Sequence, residues 1–183
     1  LFPKPNEANP FINSLKGYAY FAKSGREEPA SWLSDHHDNG TAYSIASYTK
    51  GELFLVELGY IMGEETLSKV MKKYYQDWHL KHPSDRDFMH IAQQISGMDL
   101  KWFYHYWINT TKTIDYAIKD VKYGDTYTTI TLVNNSDVPM PIDFNVLIKD
   151  KKTINYHIPL NMMRSPKKSD FYGNFQTLDY WNW

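Results

Sequence analysis

The sequence predicts an α+β chain: an α-helical unit over residues 1–113, then a small antiparallel, sandwich-like β unit over residues 114–183. Three observations predict it. Apolar residues recur at helical spacing up to about Thr113 and at every second position beyond it. Helix punctuation is frequent in the first part: Gly63 and Gly97 close apolar runs, and Ser84 with Asp87 resembles a capping box at the start of the run that Gly97 closes. Asn134-Asn135-Ser136-Asp137 is a turn cluster between two alternating segments.

Taken in order, Asn9-Pro10 opens a helix over 11–23, with Pro at a position where a missing N–H costs nothing. Residues 25–40, rich in Asp, His, Ser and Pro, read as a loop. A helix over 42–62 is apolar on nearly every face from Leu53 onward, which predicts burial. Glu64 and Glu65 then favour a helix N-terminus, and Leu67, Val70, Met71 and Tyr74 keep its spacing until His82-Pro83 stops it. Phe88, Ile91, Ala92 and Ile95 mark the next helix, and Asp99 caps a last one through Trp102, Phe103, Tyr106 and Trp107. Alternation predicts strands over 114–121, 127–133, 142–148 and 154–158, a loop over 161–175, and a final strand near Thr177. This is short for a sandwich, which takes ~100 residues, so the sheet is expected to be incomplete or to lean on the helices. The apolar ends, Leu1-Phe2 and Tyr180 to Trp183, read as cut from a longer polypeptide.

Composition excludes several function classes. With 20 basic and 21 acidic residues there is no surplus charge to hold a phosphate backbone, so nucleic acid is not an expected partner. No apolar run is long enough for a membrane-spanning helix, and residues 1–20 are not expected to act as a signal peptide. The absence of cysteine removes disulfides, thiolate metal sites and thiol nucleophiles. The 15 Tyr, 9 Phe and 6 Trp suit a ring-filled core, and also surfaces for peptides or sugars.

Few residues offer a catalytic pattern. His36-His37 lie in the loop between Asp35 and Asp38 and read as exposed polar residues; His79 and His82 are separated from a shared helix face by Pro83. No H-E-x-x-H, G-x-S-x-G or phosphate-cradling glycine loop occurs, so no metal site is expected in the chain. The pair Glu27-Glu28 carries no cue for pKa tuning. The segment Ala42 to Gly51, A-Y-S-I-A-S-Y-T-K-G, begins the buried helix. A phenol, with an ordinary pKa of ~10, keeps its proton at neutral pH and can donate to a forming oxyanion. Gly51 is expected to admit a neighbouring backbone. By residue type alone, Tyr48 remains one of 15 tyrosines.

Tyr48-Thr49-Lys50-Gly51 resembles the Y-x-K-G motif of the aminopeptidase N-like (gluzincin) zinc metallopeptidases. The same order of features surrounds it: Asn9-Pro10-Phe11, Tyr43, Leu58 to Gly63, His82-Pro83, Asp87-Phe88, Ser96 to Leu100, Trp102-Phe103 with Trp107, and Ile114 to Ile118. The resemblance implies that residues 1–113 are the second, helical half of a thermolysin-like catalytic domain and that 114–183 begin the following β-sandwich. It implies that Tyr48 stabilises the oxyanion during hydrolysis of an N-terminal peptide bond and that Tyr43 contacts the peptide substrate. Lys50 and Gly51 are expected to serve as helix surface and packing. The family's H-E-x-x-H, its third ligand, a glutamate, and its G-x-M-E-N segment have no counterpart here. Zinc is thus expected in the whole parent protein and not in this chain, whose partner would be the absent N-terminal half of the catalytic domain. The other readings are a non-catalytic peptide-binding or scaffolding module and a sugar-binding tryptophan-rich tail.

Overall fold

A computed structural model describes residues 9–148, 152–168 and 175–181. The apolar ends Leu1-Phe2 and Trp183, and part of the expected loop over 161–175, lie outside the described residues. The helices are α1 (Ile12–Lys23), α2 (Gly40–Ser44), α3 (Lys50–Met62), α4 (Glu64–Trp78), α5 (Asp85–Ser96) and α6 (Lys101–Asn109). The strands are β1 (Tyr116–Tyr123), β2 (Thr128–Asn134), β3 (Ile142–Leu147), β4 (Thr153–Ile158) and β5 (Gln176–Thr177). The chain is α+β, helices first and a small β part after them.

Local chemistry explains the helix ends. Gly63 takes φ +88 and donates its N–H to Gly59 O at 2.8 Å, a conformation costly for a residue with a Cβ. Gly97 does the same for α5 at φ +71, and at the other end Ser84 donates from N and Oγ to Asp87 Oδ2 at 2.8 and 2.7 Å. α4 stops at Trp78, before the expected break at Pro83. Leu80 turns to φ +62 and is 98% exposed, so no apolar contact holds further helical turns together.

The core is continuous through both parts. Leu53, Phe54, Leu58 and Ile61 of α3 pack with Phe103 and Trp107 of α6, and Met140, Leu160 and Met163 from the β part join them. Phe54 and Phe103 stack with centroids 5.3 Å apart, each ring buried and stabilising by about 1.5–3 kcal/mol. The N–H of Asp99 donates to Met163 O at 3.0 Å, tying the α5–α6 turn to the β part.

The β part forms two sheets. β1 and β2 make an antiparallel hairpin with an irregularity between Ile118 and Asp120, and most of β1 is exposed. β3 and β4 pair antiparallel, but β5 runs parallel to β4. One pairing thus departs from the expected all-antiparallel arrangement. The physical reason is the sequence separation: residues 159–175 lie between the two strands, and a parallel neighbour needs such a long connection, whereas a tight hairpin turn gives only an antiparallel one.

Candidate active site

Tyr48 lies in a π-helical turn, Ile45–Thr49, inserted between α2 and α3. Asn39 opens this helical stretch: its side chain accepts from the N–H groups of Thr41 and Ala42, both at 3.0 Å. The turn is closed by Lys50, whose N–H reaches back five residues to Ile45 O. This spacing has a consequence for the two tyrosines. In an α-helix, residues five apart diverge by about 140° around the axis. An i→i+5 turn brings them closer to one face, and the rings of Tyr43 and Tyr48 meet edge to face at 6.1 Å. Tyr48 is 67% exposed, its ring open to solvent rather than sealed in the core.

The aromatic contact continues away from Tyr48. Tyr43, half-buried, meets His37 at 5.6 Å, and His37 meets Trp32 at 6.0 Å. His37 corrects the expectation of an exposed His36-His37 pair. The His36 side chain is 63% exposed, but that of His37 is buried, with Nδ1 2.5 Å from Glu28 Oε2. Glu28 Oε1 accepts from Asp38 N at 3.0 Å. Burial pushes the Glu28 carboxyl up, but the Asp38 N–H and the His37 ring outweigh it and hold the group below its ordinary value.

Lys50 is the largest departure from expectation. It is not helix surface: its side chain is fully buried, with Nζ 2.5 Å from Glu27 Oε1 and 2.9 Å from Thr110 O. Tyr18 donates to the same Glu27 oxygen at 3.1 Å, and the rings of Tyr18 and Trp107 flank the ammonium. The Trp107 indole N–H donates to Lys50 O at 3.1 Å, so backbone and side chain of Lys50 are both held. Burial lowers the lysine pKa, and Glu27 opposes that shift. Burial first, then the Glu27 charge, raises the Tyr18 phenol far above its ordinary value. The close backbone approach expected at Gly51 is absent, since a Cβ there would meet nothing within 4 Å. Gly51 instead borders, with Ala46 and Ser47, an apolar groove of about 610 Å³ between the π-turn, α5 and α6.

Sequence reasoning missed Glu27, Glu28, His37 and Lys50 as members of this neighbourhood. The run Glu27-Glu28-Pro29 was a usable signal, because Pro holds the residue before it extended and adjacent side chains then diverge to separate partners. No cluster of three or more His, Asp or Glu side chains able to hold a metal occurs among the described residues. His79 and His82 do not meet; the His79 ring nitrogen sits 3.1 Å from Tyr75 O, within its own chain segment. The metal of a zinc peptidase therefore finds no ligand set among the described residues.

Residues 17–107 match the Peptidase family M1 domain, and this stretch includes most of α1, α2 to α5, the π-turn and most of α6. A search of curated proteins and a search of solved structures returned no match.

Proposed function

Taking as premise that residues 17–107 belong to the M1 peptidase family, we propose that this chain supplies the oxyanion-binding tyrosine of a zinc aminopeptidase. The observation that carries the reading is the exposed Tyr48 ring on a π-turn whose two flanks are held by buried carboxylate contacts. Insertions of this kind recur at functional sites, because they turn one side chain out of the helical register.

In the proposed reaction, the scissile carbonyl of a peptide N-terminus lies over the Tyr43–Tyr48 edge. As the carbonyl becomes tetrahedral, the Tyr48 hydroxyl donates a hydrogen bond to the developing oxyanion and keeps its proton throughout. Tyr43 packs against the substrate and fixes the angle of Tyr48 through their edge-to-face contact. Zinc and its ligands belong to residues outside these 183, in a catalytic domain of which 1–113 form the helical half. By itself the chain hydrolyses no peptide bond. The 114–183 part is read as the beginning of the next domain, packed on the helices through Met140, Leu160 and Met163.

The test is Tyr48→Phe in a complete catalytic domain carrying this segment, assayed on an aminoacyl-anilide. Turnover is expected to fall about 10²–10³-fold with KM nearly unchanged, the pattern of a contact made only in the transition state. Normal turnover would remove Tyr48 from the mechanism.

A further inference from the structure

We propose that the adjacent carboxylates Glu27 and Glu28 are positioning residues for Tyr48, each holding one flank of the turn that carries it. The inference rests on the reading of Tyr48 as an oxyanion donor and extends it to residues that touch no substrate.

The geometry is two-sided. Glu27 reaches Lys50, two residues after Tyr48, whose N–H closes the π-turn on Ile45 O. Glu28 reaches the His37 ring and the Asp38 N–H, immediately before Asn39, the residue that caps the helix leading into the turn. His37 then packs on Tyr43, and Tyr43 on Tyr48. One dipeptide thus grips the segment 37–50 at both ends.

The anchor itself is fixed from outside. Ser31 N donates to Ile108 O at 3.1 Å, and Lys50 Nζ donates to Thr110 O, so the loop and the turn share α6 and its exit as a common base. The arrangement also keeps Glu27 Oε2 and His37 Nε2 buried without hydrogen-bond partners. Packing alone would favour apolar residues at such places, since each unpaired polar atom costs stability. Carboxylate contacts retained at that cost are suited to fixing a direction, and a misplacement of about 1 Å at a reacting group can cost about 10²-fold in rate.

The experiment uses the full 183-residue chain with isotopically labelled tyrosine rings and follows the through-space NMR contact between Tyr43 and Tyr48. Glu27→Gln and Glu28→Gln are each expected to weaken or abolish that contact. Asp143→Asn, which removes a partly buried carboxylate on the β side, is expected to leave it intact. Retention of the contact in both folded glutamine variants overturns the proposal. Should Glu27→Gln unfold, Glu27→Leu with Lys50→Met removes both buried charges together, and a folded double variant with an unchanged Tyr43–Tyr48 contact overturns it equally. In the complete catalytic domain, Glu27→Gln is expected to lower kcat about 10²-fold with KM held, and to add almost nothing in a Tyr48→Phe background. Additive losses would show that Glu27 does not act through Tyr48. Normal turnover in Tyr48→Phe alone sinks the oxyanion reading instead, while the NMR contact still decides, independently, whether the two carboxylates hold the turn.

Discussion

At the N-terminal end of α3, Lys50 is buried on Glu27 while neighbouring Glu28 holds His37. Toward the other end, the Tyr60 carbonyl and ring touch Lys167, and one carboxylate, Asp143, takes both Lys167 and the Nδ1 of His157, the latter at 2.6 Å. The chemical inventories are nearly the same: a buried lysine, acidic partners, and a buried histidine whose Nε2 has no hydrogen-bond partner. What they present differs. Beside Lys50 an aromatic strip runs out to the exposed Tyr48. Beside Asp143, Tyr60 donates to Pro141 O and accepts from Asp143 N, and Phe175 covers His157. The second group joins helix to sheet, and the first lies beside the exposed Tyr48 ring. Buried charge therefore does not identify a site by itself; the exposed group that it orients does.

The largest effects that sharpen this comparison come from breaking each lysine pair singly. Lys50→Met is expected to cost about 3–5 kcal/mol in urea denaturation, because it leaves the buried Glu27 carboxylate without its counter-ion, and Lys167→Met to cost less, because Asp143 is partly exposed and keeps His157. Only the first is expected to disturb the Tyr43–Tyr48 contact. Equal disturbance from both would erase the distinction between the two ends of α3.

A smaller effect lies between the two groups, at Glu57. Burial alone pushes its carboxyl up from 4.5 to about 7. A carboxyl raised in the folded state destabilises progressively as pH rises from 4.5 to about 7, because the unfolded chain ionises first. Glu57→Gln is therefore expected to raise stability above pH 7 by on the order of 1–3 kcal/mol, and to change nothing at pH 4. Thermal melts at the two pH values check it, and equal effects at both would refute the assignment.

The smallest effect is on the acid side. Glu28 and Asp143 are both held below their ordinary values: burial acts upward on each and hydrogen bonds outweigh it, from Asp38 N–H and His37 at Glu28, from His157 and Lys167 at Asp143. Their stabilisation is present above the unfolded carboxylate range and is lost as pH falls through the folded values. Glu28→Gln and Asp143→Asn should each flatten the acid limb of a stability–pH curve. A change in the Tyr43–Tyr48 contact during acidification of the wild-type chain should disappear in the first variant only.

Much of the fold was legible because its cues are local. Ser84 with Asp87, Gly63 and Gly97 mark helix ends through bonds spanning three or four residues. Lys50 was not legible, since a lysine among polar neighbours reads as surface and its partner Glu27 lies 23 residues away. The end of α4 was misread because Pro83 is a stronger signal than the missing contacts of Leu80. The strand near Thr177 was legible and forms β5, but its parallel pairing with β4 was not, since a two-residue strand carries no cue to its direction. Tyr48 stood out through its resemblance to a family motif, not through any physical property separating it from the other tyrosines.

The sequence by itself determined the order of the main helices and strands, the helix ends at Gly63, Ser84 and Gly97, and the match of residues 17–107 to a peptidase family. Only the tertiary structure decided that Lys50 turns inward, that Glu27 and Glu28 part to opposite flanks, and that Tyr43 and Tyr48 share a face. The reason is the range of the forces involved. Backbone preference and apolar spacing act within a few residues, whereas the burial of a charge depends on whatever distant groups the fold brings to meet it.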